Sequence, residues 1–231
     1  MNSASKSKAL QTKDIFLFQD LSLKEHSVIG KCLKEATFEK GEIIFSEGMT
    51  CERIFIVQSG RVKIFRLSSA GREQILEVLG PGDTCACNPG QACWSCSSSA
   101  QALTDCSVWI LSRFNYVQMV KNNSRMANTL NRIFAERLNR FSSLIEMISL
   151  DDPKKRLIKF AFDMMSRKEC QCAKENCICL MTTQEEIAQR LGVTRLTIAR
   201  HLKQLKESKL ISCQSHSITI LDKEGLNKSL L

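Results

Sequence analysis

Residues 183–206, TQEEIAQRLGVTRLTIARHLKQLK, predict two short helices joined by a tight turn. Thr183 and Glu186 have the spacing of a capping box, in which each side chain bonds the other residue's backbone N–H. Gly192 tolerates the positive φ that such a turn needs, and Thr194 suits the N-cap of the second helix. Between positions 194 and 206 there are four basic residues and no acidic one. A basic second helix after a tight turn is typical of a helix-turn-helix, whose second helix fits a major groove about 12 Å wide.

The segment that follows predicts a wing. Residues 210–213 and 218–221 are mostly apolar and are separated by a polar turn, which indicates a β-hairpin that could touch phosphates. The competing interpretation is an ordinary helical hairpin with a solvated basic face. Because cap, turn, charge and wing occur together, we favour double-stranded DNA as the partner. The predicted DNA-binding residues are Thr183, Thr194, Arg195, Leu196, Thr197, Ala199, Arg200 and Lys203.

Upstream, residues 14–112 predict a β domain. Short apolar runs such as 54–57 alternate with glycine-containing turns such as residues 80–82, at intervals of about ten positions. This spacing is typical of a sandwich or barrel.

Residues 113–150 predict a long helix, since no glycine occurs between Ser112 and Gly192. A helix from about residue 124 to 149 would be about 39 Å long. Asp152-Pro153 would end it and start the next helix in a domain spanning residues 151–231. The helix either packs on the β domain or, as we favour, forms a two-stranded coiled coil in a homodimer. The predicted dimer-interface residues recur every three or four positions: Leu130, Phe134, Leu138, Phe141, Ile145 and Ile148.

Composition excludes several classes of protein. The chain has 231 residues, with 33 Lys and Arg against 24 Asp and Glu, and its net charge of +9 favours a polyanionic partner. No apolar run is long enough for a membrane span, and the first residues do not read as an export signal, so we expect a cytoplasmic protein. No nucleophile triad, phosphate-binding loop or paired-carboxylate motif is present, so we do not expect an enzyme.

With these segments together, the chain resembles the Crp/Fnr superfamily of bacterial transcription regulators. The resemblance covers residues 14–222 and rests on KGEIIF at 40–45, GPGD at 80–83 and TRLTIAR at 194–200. It implies an α+β fold with an N-terminal β jelly-roll like a cyclic-nucleotide-binding domain, a long dimerisation helix and a C-terminal winged helix-turn-helix. It further implies a homodimer on a palindromic promoter site, with RNA polymerase as another partner.

The family's base-reading motif corresponds to Arg195, Leu196, Ala199 and Arg200. Leu196 stands where the family usually has glutamate. Glutamate accepts a hydrogen bond from cytosine N4, whereas leucine offers only apolar contact, for example to a thymine methyl group. We therefore expect an operator that differs from the usual half-site at the base pair read by position 196.

The signal that the β domain senses is less defined. Members that bind cyclic nucleotides hold the phosphate with an Arg-Ser or Arg-Thr pair, but Cys96-Ser97 falls at that place here. Without that guanidinium a buried phosphate would lack a charge partner, which disfavours cyclic AMP.

Cysteines dominate the same segment. Cys85, Cys87, Cys93 and Cys96 predict a soft-metal site, with an iron–sulfur cluster or zinc as leading candidates and haem as an open alternative. Alternatively, these thiols only pack or form a redox pair. A second group before the DNA-reading helices could bind one metal, form disulfides or remain inert. Its members are Cys170, Cys172, Cys177 and Cys179, whereas the isolated Cys32, Cys51, Cys106 and Cys213 read as small buried hydrophobes.

Two functions of different classes remain open. The leading one is a DNA-binding regulator that senses a metal, an iron–sulfur or redox state, nitric oxide or a thiol oxidant through the cysteines of its β domain. The alternative is a thiol-rich metal-binding or redox-buffer protein without sequence-specific DNA binding.

Overall fold

The computed structural model describes residues 12–85, 95–166, 177–179, 183–214 and 217–230. The chain divides into two compact units, residues 1–71 with 75–140 and residues 72–74 with 141–231. No helix in these ranges is both long and apolar enough to cross a membrane.

The first unit is a two-sheet β structure with helices at each end of its sequence. Two short 3₁₀ turns, Thr12–Asp14 and Phe16–Phe18, precede helix α1. The sheets have strand orders β1-β7-β3 and β2-β6-β4-β5. The elements are α1 (Leu23–Cys32), β1 (Lys34–Phe38), β2 (Ile43–Phe45), β3 (Arg53–Ser59), β4 (Val62–Leu67), β5 (Glu73–Leu79), β6 (Ser99–Ala102), β7 (Cys106–Ser112), α2 (Arg113–Asn122) and α3 (Ser124–Leu150).

Residues 54–57 of strand β3 form a continuous apolar run because they pack in two hydrophobic clusters. Ile54 and Ile56 belong to one hydrophobic cluster, which also contains residues of the flanking helices. Phe55 and Val57 belong to a second cluster, between strands. Because successive side chains of a strand point to opposite faces, both faces of β3 are buried and every position from 54 to 57 is apolar.

The turn after β3 needs a glycine. Gly60 has a φ of 80°, and a Cβ at this position would overlap the carbonyl oxygen of Asp105. Only a residue without a side chain fits this close approach of two backbone segments.

The second unit contains the end of α3 and a small helical domain with a three-stranded sheet. Its strands have the order β8-β10-β9, and the predicted wing corresponds to the antiparallel pair β9 and β10. One hydrophobic cluster joins the helices and the sheet. The further elements are α4 (Pro153–Ser166), β8 (Cys177–Cys179), α5 (Gln184–Leu191), α6 (Arg195–Glu207), β9 (Ile211–Gln214), β10 (Ser217–Ile220) and α7 (Lys223–Lys228).

The junction between α3 and α4 is held by Asp152, which the sequence indicated, and by Arg156, which it did not. Asp152 caps α4, since its Oδ1 accepts the N–H groups of Lys154 at 2.8 Å and Lys155 at 3.0 Å. These bonds lower the pKa of Asp152, because they favour its charged form. The Arg156 guanidinium donates to three backbone carbonyls, those of Ile148 at 2.5 Å, Asp151 at 3.0 Å and Leu191 at 3.0 Å.

Arg156 therefore joins three helices of the second unit. Ile148 lies in the last turn of α3 and Leu191 is the last residue of α5. Carbonyls at helix C-termini lack partners within the helix and carry partial negative charge, so a guanidinium is a favourable donor there.

Candidate functional site

Thr183 and Gly192 fix the two ends of helix α5. The Thr183 hydroxyl accepts the N–H of Glu186 at 3.1 Å, which is half of the predicted capping box. The other half is replaced, because the Glu186 carboxylate pairs with Arg190 Nη2 at 2.6 Å. Both side chains of this pair are largely buried, so the ion pair offsets the burial of the carboxylate. The helix ends at Gly192, which has the left-handed φ of 66° that the turn requires.

Helix α6 starts with the predicted cap. The Thr194 hydroxyl accepts the N–H of Thr197 at 3.2 Å. Ile198, Leu202 and Leu205 are buried in the hydrophobic cluster of the second unit. Since these residues lie on one side of the helix, the opposite side faces outward.

The outward side of α6 carries cationic side chains around one apolar residue. Arg195, Arg200 and Lys203 are exposed, and the Leu196 side chain is 79% exposed. Thr197 and Ala199 are half-buried, and Thr183 and Thr194 are exposed at the helix starts. An unpacked leucine in a basic surface contributes nothing to the protomer core, and guanidinium groups can donate bidentate hydrogen bonds to guanine or phosphate. We call Arg195, Leu196, Arg200 and Lys203 the reading face.

The predicted dimer seam on α3 divides into two parts. Leu130 is 2% exposed and lies in the core of the first unit, with Phe134 packed against that core. The prediction that Leu130 faces a second copy does not fit this position, because its apolar surface is already covered. Leu138 and Ile145 are instead about two-thirds exposed. Of the other two seam residues, Phe141 is exposed and Ile148 is half-buried.

Three cysteines of the β region lie close together. Cys85 and Cys96 are the described members of the first cysteine group. Its other two members, Cys87 and Cys93, lie outside the described residues. Cys51, which the sequence analysis took to be isolated, belongs with Cys96 to the hydrophobic cluster against which Cys85 packs. Burial raises the pKa of the Cys85 thiol to about 12 and that of Cys96 to about 11. Both are therefore protonated thiols at neutral pH.

The second cysteine group is only partly described. Cys170 and Cys172 lie outside the described residues, so their pairing with Cys177 and Cys179 stays a prediction. Strand β8 pairs with β10, with Ile178 opposite Ile218. Within the described ranges, no group of three or more His, Cys, Asp or Glu side chains is arranged to hold a metal ion.

Arg137 is a site residue that the sequence analysis missed. Its guanidinium pairs with Glu77 at 3.3 Å and donates to the carbonyl oxygen of Thr84, next to Cys85. Arg140 joins the same carboxylate at 3.2 Å. The sequence analysis followed the apolar residues of α3 and did not consider the arginines on its other face. Counting the charged residues on that face would have indicated them.

The comparisons with known proteins agree with this arrangement. Residues 35–123 match the cyclic nucleotide-binding domain family, and residues 155–229 match the Crp-like helix-turn-helix domain family. The chain belongs to the Crp/Fnr family of transcription regulators. Regulators of this family bind DNA and act as dimers, and the relatives are regulators rather than enzymes.

Individual relatives extend over most of the chain. A CRP-like cAMP-activated global transcriptional regulator from Mycobacterium tuberculosis is 28% identical over 214 residues, which are 91% of this chain and 94% of the relative. The solved structure of a Crp/Fnr transcriptional regulator from Eubacterium rectale is 28% identical, covers 94% of this chain and 99% of its own, and has a TM-score of 0.71. CooA from Carboxydothermus hydrogenoformans, 21% identical over 87% of this chain and 89% of its own with a TM-score of 0.75, shares the fold.

Proposed function

We propose that this protein is a homodimeric cytoplasmic regulator that binds a palindromic promoter operator through the reading face of α6 and works with RNA polymerase there. The observation that carries the proposal is the exposed set of cationic side chains around Leu196. Arg200 is suited to a guanine or a phosphate, and Leu196 to a thymine methyl group. The operator is therefore expected to differ, at the base pair facing residue 196, from one read by glutamate.

Dimerisation supplies the second reading face. Leu138, Phe141 and Ile145 are exposed and spaced three or four residues apart on α3, which is the pattern of a two-helix seam. A two-fold dimer places its recognition helices on half-sites about one helical turn apart. Light scattering of the full chain should give twice the monomer mass, and Leu138→Glu should lower it.

Selection of bound duplexes from a random library tests the reading face. Leu196→Glu should change the preferred base at one symmetric position of each half-site, with a discrimination of about 1–3 kcal/mol. Arg200→Ala should weaken binding, whereas Lys228→Ala, which removes an exposed charge from α7, should leave it unchanged. If Leu196→Glu preserves every base preference of the wild type, the assignment of the reading face is wrong.

We further propose that thiols of the β region control DNA binding. Cys85 follows Thr84, whose carbonyl is bonded by Arg137 of α3, so a displacement at Cys85 would alter a contact of the long helix. The full ligand set of Cys85, Cys87, Cys93 and Cys96 includes two residues outside the described ranges. A metal, an iron–sulfur cluster, nitric oxide or a thiol oxidant are the effectors that this chemistry favours.

Cyclic AMP is disfavoured by the same segment. The Mycobacterium tuberculosis relative is named as cAMP-activated. In this chain, however, Cys96 is 9% exposed at the position of the phosphate-binding arginine, and a thiol cannot neutralise a cyclic phosphate.

Anaerobic purification with metal and sulfide analysis and an absorption spectrum identifies the effector class. Iron with sulfide would indicate a cluster, zinc alone a structural ion, and a Soret band haem. Cys85→Ser and Cys96→Ser should abolish the response of DNA binding, whereas Cys32→Ser should retain it. Full responses in both cassette variants would refute control by these thiols.

A further inference from the structure

A cavity of about 290 Å³ lies between the two sheets of the first unit. Phe55 and Ile110, which are directly paired across β3 and β7, line it from one sheet. Ile44 and Phe45 of β2 line it from the other sheet. The Phe45 and Phe55 rings approach each other with centroids 6.0 Å apart and planes tilted by 50°. Apolar and aromatic side chains of both sheets therefore border one space.

A bulge in β2 brings two neighbouring side chains to this cavity. The register of β2 against β6 shifts between Ile43 and Phe45, so Ile44 is the extra residue of the strand. Successive side chains of a regular strand point to opposite faces, but a bulge turns one of them. Ile44 and Phe45 consequently both line the cavity.

Several lining residues keep uncovered apolar surface. Phe38, Ile44, Phe45 and Ile110 pack against the hydrophobic cluster between the strands, yet each is only half-buried. Met49, which also lines the cavity, is 56% exposed. A ligand that covered these side chains would be stabilised by the removal of apolar surface from water.

The charges around the cavity favour an uncharged ligand. In the described part of the chain, the charged lining residues are Glu52 and Arg53, and both are exposed. They are adjacent and of opposite sign, so together they select neither an anion nor a cation. A charged group inside the cavity would lose its water without gaining a buried charge partner.

The volume sets the size of the ligand. An engineered apolar cavity of about 150 Å³ in another protein stays dry and binds benzene. The cavity of about 290 Å³ is roughly twice as large, which fits two fused rings. We propose that the first unit binds a small uncharged bicyclic aromatic molecule between its two sheets. Within the described residues the lining includes none from α3, so this site is distinct from the Arg137 contacts beside Cys85.

A direct binding measurement tests the proposal. The probe is 1-fluoronaphthalene, whose two fused rings match the cavity and whose fluorine NMR signal is separate from those of the protein. The titration uses the full chain without DNA, so its result is independent of operator binding and of control by thiols. The wild type should bind the probe saturably. Naphthalene should displace it, whereas naphthalenesulfonate at the same concentration should not, because its charge would be buried without a partner.

Substitutions of lining residues locate the bound probe. Ile44→Phe and Ile110→Phe should each weaken binding at least ~10-fold, because the larger side chain takes up room in the cavity. Ile64→Phe is the matched control and should bind like the wild type, since Ile64 is half-buried against the same cluster but lies outside the lining. Met49→Asp changes an exposed position, so it should fold normally and weaken binding several-fold.

Three results would overturn the proposal. The first is the absence of saturable binding by the wild type. The second is displacement of the probe by naphthalenesulfonate as effective as that by naphthalene. The third is unchanged affinity in Met49→Asp and in each phenylalanine variant of the lining that keeps the wild-type near-ultraviolet circular dichroism.

Discussion

Replacing Arg156 by alanine should destabilise the second unit more than any other single loss of charge in α4. The guanidinium donates three hydrogen bonds to the carbonyls of Ile148, Asp151 and Leu191. A hydrogen bond from a charged donor contributes about 1.5–3 kcal/mol. Arg156 is half-buried, so water replaces part of what is lost, and we expect a decrease of about 2–4 kcal/mol in the free energy of unfolding.

Urea denaturation can separate the two units, because Trp109 is buried in the first unit and the sequence of residues 141–231 contains no tryptophan. Tryptophan fluorescence therefore follows the first unit, and far-ultraviolet circular dichroism follows both. Arg156→Ala should move an early part of the dichroism transition to lower urea without moving the fluorescence midpoint. Arg156→Lys should give an intermediate loss, since an ammonium group reaches fewer carbonyls.

Lys154→Ala is the matched control, since it removes a positive charge from the same helix but no side-chain contact to a helix terminus. We expect it to change stability by less than about 0.5 kcal/mol. If Arg156→Ala unfolds with the same dichroism midpoint as Lys154→Ala, the three carbonyl contacts do not stabilise the unit.

Three further predictions concern other local contacts. Gly192→Ala should destabilise the second unit by about 1–2 kcal/mol, because alanine resists the left-handed φ of 66°; thermal unfolding that matches the wild type would contradict this. The lowered pKa of Asp152 means that its contribution is complete above the ordinary carboxyl pKa and is lost as pH falls through the lower folded-state value. Asp152→Ala should therefore flatten the acid side of the stability profile, and an unchanged slope would argue against it. Glu77→Gln should lower first-unit stability by about 1–3 kcal/mol, since its carboxylate faces Arg137 at a mostly buried site, whereas the exposed Glu136→Gln should stay within about 0.5 kcal/mol in urea titrations.

Local patterns were sufficient for much of the fold. The caps at Asp152 and Thr194, the turn at Gly192 and the β9–β10 wing all depend on residues close together in sequence, and each occurs at the predicted place. The order of β region, long helix and winged helix-turn-helix followed from these signals and from the family resemblance.

Contacts between segments that are distant in the chain could not be predicted from sequence periodicity. The apolar stripe of α3 could not show that Leu130 is covered by the β region whereas Leu138 is exposed. Cys51 was taken to be isolated because Cys96 is brought near it by the pairing of two segments that are distant in sequence. The sequence analysis did not single out Arg156, since its acceptors are backbone carbonyls, which have no sequence signature.

Strand β3 has a consequence for how this chain could misassemble. Positions 54 to 57 are all hydrophobic. A register shift of one residue would move Ile54 and Ile56 to the face of Phe55 and Val57, and the reverse, and all four apolar side chains would still be buried. Burial alone therefore distinguishes the native alignment from a shifted one only weakly. Gly60 distinguishes the two registers, because a shift would place a residue with a side chain against the Asp105 carbonyl. The resulting steric clash at this turn would exclude the shifted register for the whole strand.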